Sequence, residues 1–246
     1  KEILITGASG LIGGMLARHL KELGEYKITA LNRSAVDDFK CVKADISDLK
    51  AIQPAFEGKD VVVHMAVYAD FRSSPEGKLR EKKMRESGIS EIEIDQMLWE
   101  GNLRTNIIGV RNVYEAARLA GVKRIVFGSS GAAIGGFSLV SPYEAITKGH
   151  YENVPERWGK IQHDQVRPLG VYGASKVFGE ALGRHYSDTY DLSILCVRIG
   201  SVRTDDFPNN PSRMSHYLSH RDLLQMLVQC IEAPEDLKYD IFMAVS

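Results

Sequence analysis

Apolar residues recur along this chain in short dense runs, separated by longer stretches in which they return every three or four positions. The runs fall at 2–6, 27–31, 40–43, 60–66, 123–129, 193–199 and 239–245. They are rich in Val, Ile and Leu, often at consecutive positions, which suits strands covered on both faces of a parallel sheet. Between them, helical periodicity predicts helices near 11–23, 48–56, 101–120, 172–189 and 219–232. Strands alternating with helices predict an α/β chain, a doubly wound parallel sheet with helices on both faces. At 246 residues the chain reads as one domain, long enough to bury a substantial core.

Two inserts interrupt the alternation. In the first, 68–100, residues 76–86 carry eight charges in eleven positions. Ser90 and Glu93 then have capping-box spacing before Ile94, Met97 and Leu98. A solvated helix followed by a short amphipathic one is expected, or a flap over the reacting end of a ligand. The second insert, 136–169, holds Tyr143, Lys148, His150, Tyr151, Trp158 and His163 among three prolines. A long aromatic loop suits either a substrate lid or a surface excursion packed on itself.

Candidate chemistry begins directly after the first apolar run. Gly7, Gly10 and Gly13 have the spacing G-x-x-G-x-x-G, with Ser9, Leu11 and Ile12 between and beside them. A strand, a glycine turn and a helix in that order aim a helix N-terminus at a ligand, and its free N–H groups suit a pyrophosphate. At the end of the second run, an NAD binder carries an acid to hold the ribose hydroxyls. Here Asn32 stands there, followed by Arg33 and Ser34. Arg33 would attract a 2′-phosphate, so NADP is expected ahead of NAD.

A second motif lies far along the chain: Tyr172 and Lys176, one helical turn apart. A free tyrosine, with a pKa near ~10, is a poor base at neutral pH. A lysine on the same helix face favours tyrosinate and is expected to lower that pKa. Tyr172 can then take a proton from an alcohol or return one to a carbonyl. The run 125–130 ends in Ser129 and Ser130, and Ser130 could polarise the reacting oxygen.

These residues together resemble the extended short-chain dehydrogenase/reductase family, also called the NAD-dependent epimerase/dehydratase family. The resemblance runs through nearly the whole chain. It includes the glycine loop, Asp45-Ile46, His64-Met65-Ala66, Asn106 opening a helix, Ser129-Ser130 and Tyr172/Lys176. It implies a Rossmann-type fold with a small C-terminal substrate-binding lobe. The dinucleotide-binding part would occupy about 1–190 and the substrate-binding elements mostly 196–238. It implies catalytic roles for Ser130, Tyr172 and Lys176, with Lys176 also gripping the nicotinamide ribose. Asp45 and Ile46 would contact the adenine, and Met65, Ala66 and Asn106 would belong to the cofactor site.

The C-terminal part resembles uronate dehydrogenases, in Val197–Ser201, Asn209–Met214 and Leu218–Asp222. That narrower resemblance implies that Ser201 and Arg213 hold the substrate. Uronate dehydrogenases have an Asn-His pair after the catalytic serine; here Gly131 and Ala132 stand there. Gly131 would border the substrate, and uronates themselves are expected to be poor substrates. The implied activity is an NAD(P)-dependent oxidoreductase acting on a sugar-like or polyhydroxylated alcohol or its carbonyl. The alternatives are a sugar-nucleotide epimerase with tightly bound NAD and a non-catalytic cofactor sensor. Family members often pair through the helices near 101–120 and 172–189, which implies a homodimer. They also continue past the last apolar run, so further residues are expected beyond the termini of this sequence.

Composition narrows the partners. A net charge of −1 with mixed signs offers no basic footprint for nucleic acid or a membrane surface. No run is long enough to span a bilayer. Cys41, Cys196 and Cys230 are widely separated, odd in number and lack metal spacing; Cys41 and Cys196, in apolar strand-like runs, are expected to be inert core residues, which fits a reducing cytoplasm. His216 and His220 have i, i+4 spacing but no third ligand, so no metal is expected. His64 reads as a core residue.

Overall fold

The first apolar run is β1 (Glu2–Thr6), and Ile3, Leu4 and Ile5 within it are wholly buried. Ile3 and Ile5 face one layer and Leu4 the other, as strand alternation requires. Burial on both faces follows from the sheet around it. Strands β2 (Lys27–Asn32), β3 (Lys40–Lys43), β4 (Val61–His64), β5 (Arg124–Ser130), β6 (Ser193–Ile199) and β7 (Tyr239–Ala244) complete seven parallel strands in the order β3-β2-β1-β4-β5-β6-β7. The computed structural model describes residues 1–69, 75–208 and 214–246, apart from the side chains of residues 75 and 76. Among these residues, every strand lies within a residue or two of an apolar run in the sequence.

Helices cover both faces. On one, α1 (Leu11–Leu23) contributes Leu16 and Leu20, and α8 (His220–Glu232) contributes Leu223 and Leu227, all wholly buried. On the other, α5 (Val110–Leu119) supplies Val113, Tyr114 and Ala117 against Leu4, Val62, Ile125 and Phe127. There it is joined by the short α2 (Leu49–Ile52) and by Tyr186 of α7 (Gly170–Tyr190). Each such Leu or Ile stabilises the fold by about 1.5–3 kcal/mol relative to an exposed position. Arg124, at the start of β5, closes the C-terminal end of α8 by donating to Pro234 O at 2.6 Å and to the Ala233 carbonyl.

The first insert forms α3 (Pro75–Glu86) and α4 (Glu91–Asn102). The expected capping box is present: Ser90 Oγ accepts from Glu93 N at 3.3 Å, and Glu93 Oε2 from Ser90 N at 2.8 Å. The sequence predicts one helix over 101–120; the structure instead runs α4 into a π-helical segment, Leu103–Gly109, and then into α5. Two asparagines bond along this stretch. Asn102 Nδ2 donates to the Leu98 carbonyl at 2.9 Å, and Asn106 Nδ2 donates to Asn102 Oδ1 at 2.7 Å. A wider π turn accommodates these side chains inside the helical ladder.

The second insert carries one short helix, α6 (Tyr143–Lys148). Its distal end is stitched back beside β5. Gly136 N donates to Arg167 O at 2.8 Å, Arg167 N to Ala133 O at 3.0 Å, and Leu169 N to Ala132 O at 2.9 Å. After β6 the chain makes an excursion in which Ser201 pairs with Tyr217, before Ser219 caps α8 by accepting from Asp222 N at 3.2 Å. No helix among the described residues is long and apolar enough to cross a membrane.

Candidate active site

The order of strands reverses between β1 and β4, and a crevice opens there at their carboxyl ends. The glycine loop forms its floor. Gly7 has φ +72°, a left-handed conformation, and a β-carbon there would lie 2.6 Å from Ala66 N. A β-carbon on Gly13 would run into the Gly7 carbonyl. Gly10 N donates to Gly7 O at 3.0 Å, and Gly10 begins α1 with no side-chain cap, which leaves first-turn N–H groups for an anion. This cradle, which any side chain would fill, fits a dinucleotide pyrophosphate.

The cleft above the loop encloses about 560 Å³. Of the residues picked out by sequence, Gly7, Ser9, Gly10, Asn32, Arg33, Ser34, Asp45, Ile46, Met65 and Ala66 line it. Leu31, Ala44, Val67 and Thr105 line it as well; small or apolar, they carry no signature in the sequence. Asn32 Nδ2 donates to Ser9 Oγ at 2.9 Å and to Ser34 O and Oγ at 3.1 Å, leaving the amide oxygen to accept. Asp45 accepts from Ser47 N at 2.9 Å and from Arg104 Nη2 at 3.1 Å. Burial pushes its carboxyl up, but the Ser47 hydrogen bonds, Arg104 and Arg33 outweigh that and hold it below its ordinary value.

Three expected cofactor residues sit otherwise. Leu11 is 38% exposed at the start of α1, outside the cleft wall. Ile12 borders the other end of the crevice. Asn106 is buried: its Oδ1 accepts from Tyr68 N at 2.8 Å and its Nδ2 donates to Tyr68 O at 2.8 Å. It therefore clamps the segment that lines the cleft rather than lining it.

A second cavity of about 180 Å³ shares Met65 and Val67 with the first, so the two adjoin across these residues. Ser130, Tyr172 and Lys176 meet there, beside Gly128, Ser129, Ile199, Gly200 and Val202. The meeting follows from packing. A β-carbon on Gly173 would strike the Ala132 carbonyl, so the start of α7 lies directly on the turn after Ser130. Ser130 Oγ accepts from Ala132 N at 3.2 Å. Lys176 Nζ donates to Gly128 O at 2.6 Å and lies 5.6 Å from the Tyr172 ring centre.

The sequence reading has Lys176 lowering the tyrosine's pKa. In the structure, burial pushes the Tyr172 hydroxyl above its ordinary value, and a hydrogen bond with Ser130 works the other way. Burial takes Lys176 down to about 8. The lysine is turned toward Gly128 and is itself starved of water, so desolvation dominates at both groups.

Of the expected substrate residues, Gly131 and Ser201 stand next in the chain to the cavity's Ser130 and Gly200. Ser201 N donates to His216 O at 2.6 Å. Arg213 lies outside the described residues. His216 and His220 do not converge: His216 Nδ1 bonds Ser215 Oγ and His220 Nε2 meets Arg203 O. No group of three metal-ligating side chains occurs among the described residues.

Two charged residues behind the site escaped the sequence reading. Glu180, one turn after Lys176, and Arg198, the single charge in the run 193–199, form a buried ion pair at 2.9 Å.

Comparison with known proteins agrees with this geometry. The chain is 29% identical over 255 residues to the NAD-dependent glucose-6-phosphate dehydrogenase of Haloferax volcanii, covering 99% of this chain and 84% of that one. It is 31% identical over 237 residues to the uronate dehydrogenase of Agrobacterium fabrum, covering 95% and 73%. The crystal structure of a mutant uronate dehydrogenase from Agrobacterium tumefaciens, complexed with NAD, superposes with a TM-score of 0.72 at 30% identity, over 100% of this chain and 77% of that one. The model of the NAD dependent epimerase/dehydratase family matches residues 3–80 and 100–223. By glycine loop, crevice and sequence match together, this chain belongs to the NAD dependent epimerase/dehydratase family.

Proposed function

We propose that the protein is an NAD(P)-dependent oxidoreductase acting on a sugar-like polyhydroxylated alcohol or its carbonyl. The observation that carries this reading is a pair of adjoining cavities, the glycine cradle beside one and Ser130, Tyr172 and Lys176 in the other, with Met65 and Val67 lining both. A nicotinamide cofactor held there would supply the hydride chemistry at the substrate carbon. Tyr172 takes the proton from the reacting hydroxyl in oxidation and returns it in reduction. Ser130, its oxygen already accepting from Ala132 N, directs its own proton at the reacting oxygen. Lys176 supplies positive charge beside Tyr172 and grips the cofactor ribose. Ile12, Met65, Val67 and Val202 wall the crevice and limit water at the reacting carbon.

Arg33 supports NADP as the preferred cofactor, because it is exposed on the cleft wall beside Ser34. Elements within 196–238, Ser201 and Arg213 among them, would hold the substrate. With Gly131 and Ala132 beside Ser130, uronates lack two polar contacts and react poorly. Exposed Trp99, Leu103 and Ile108 on α4 and the π turn suit a homodimer contact, and three unpaired cysteines suit a reducing cytoplasm.

The test is cofactor reduction with a panel of aldoses, sugar phosphates and uronates. An aldose or sugar phosphate should reduce the cofactor stoichiometrically, with galacturonate and glucuronate weak. Turnover without net reduction would instead mark an epimerase. Tyr172→Phe, which loses only the hydroxyl, should reduce kcat by ~10²–10⁴ and leave the cofactor Kd within about threefold. A variant keeping over half the kcat sinks the acid/base assignment.

A further inference from the structure

Lys176 is 5% exposed. A positive charge so far from water needs a negative one in reach. One turn further along α7 and on the same face stands Glu180, itself 2% exposed. Both of its carboxylate oxygens are held. Oε1 accepts from Ser129 Oγ at 2.5 Å and from Arg198 Nε at 2.9 Å; Oε2 accepts from Arg198 Nη2 at 2.9 Å. The remaining arm of Arg198, Nη1, donates to Gln165 O at 3.2 Å in the second insert. Strand β5, helix α7, strand β6 and the insert therefore meet on this single ion pair.

We propose that Glu180 is a positioning residue for hydride transfer: its buried carboxylate, oriented by Arg198 and Ser129, is the counter-charge that keeps Lys176 an ammonium beside Tyr172, and Gln165 ties the second insert to the same pair. The inference rests on the acid/base reading of Tyr172 and Lys176. The other titratable groups around the lysine offer no such charge. His64, at the end of β4, is pushed down to about 3 by burial and by Lys176, so it is neutral. Cys196 on β6 is pushed well up by burial and is a thiol. Tyr172 is raised by burial, as are Tyr114 on α5 and Tyr239 on β7, which face Glu180. Arg198 is committed to the carboxylate. Against the burial that lowers Lys176, Glu180 acts to raise it. With Glu180 neutral, the lysine loses its proton at lower pH.

The experiment is the pH profile of kcat for Glu180→Gln and Glu180→Asp, with cofactor Kd by NAD(P)H fluorescence. In Glu180→Gln the alkaline limb should move down by about one pH unit, with KM and cofactor Kd within about threefold. Glu180→Asp keeps the charge and should return the limb toward wild type. Glutamine leaves Arg198 without its carboxylate, which can unfold the chain. The neutral pair E180Q/R198M is therefore made alongside, because apolar replacement of a buried ion pair preserves folds well. Its limb should move in the same direction but less far, because the Arg198 positive charge is removed together with the carboxylate. A merely structural role would lower stability and kcat across the profile without moving the limb. An unmoved limb in a folded variant, with Tyr172→Phe inactive, overturns the proposal. An active Tyr172→Phe overturns the acid/base reading instead, and this inference with it.

Discussion

A β-carbon on Gly13 would collide with a backbone oxygen, whereas Arg33, on the wall of the same cleft, is exposed. The two positions illustrate different kinds of constraint. Gly13 is dictated by space, and Arg33 by the charge of what approaches it. A charge-assisted contact to a 2′-phosphate contributes about 1.5–3 kcal/mol. Arg33→Ala should therefore weaken NADPH binding by about 10–100-fold and leave NADH within about threefold. Fluorescence titration of both cofactors reads this directly. A wild-type protein that already prefers NADH, or a ratio that the substitution does not move, would show that Asn32 alone sets the choice and that Arg33 is a solvated side chain.

Among the elements, the π-helical segment Leu103–Gly109 has the clearest local role. It delivers Asn106 to Tyr68, whose N–H and C=O it satisfies together, and so braces the strip containing Val67 on the cleft wall. Asn106→Ala would leave both backbone groups without that partner, at about 1–3 kcal/mol. A lower urea midpoint together with a weaker cofactor Kd is the expected result; a weaker Kd alone would mean that Asn106 touches the cofactor itself. Such a turn is hard to read from sequence, because one extra residue in a helical turn leaves the apolar periodicity nearly intact. The strands were legible for the opposite reason. Val61, Val62 and Val63, or Ile194 and Leu195, are apolar at successive positions in runs only a few residues long, which suits a strand buried on both faces. The cofactor cleft was largely legible because glycine spacing reports backbone geometry. Glu180 and Arg198 were not, since each has an ordinary surface explanation until the fold brings them together. Arg198 inside an apolar run was nonetheless a visible irregularity.

Across the whole molecule, one sheet carries both ends of the crevice. Helices α5 and α7 bury their inner faces on it, while Trp99, Leu103 and Ile108 are left 37–48% exposed. The proposed homodimer would cover them. Light scattering should return twice the chain mass of 27.4 kDa, and Ile108→Glu should shift it toward one copy, since a buried unpaired charge is costly; a wild-type monomer rules the contact out. The reversal of strand order between β1 and β4 has a different consequence. Residues up to Ala66 line most of the larger cavity, whereas residues from Gly128 onward line most of the smaller one; Met65 and Val67 line both. On the proposed function, cofactor preference and sugar preference would be written in successive halves of the polypeptide and could diverge separately. A chimaera joined between β4 and β5 would exchange one trait and keep the other.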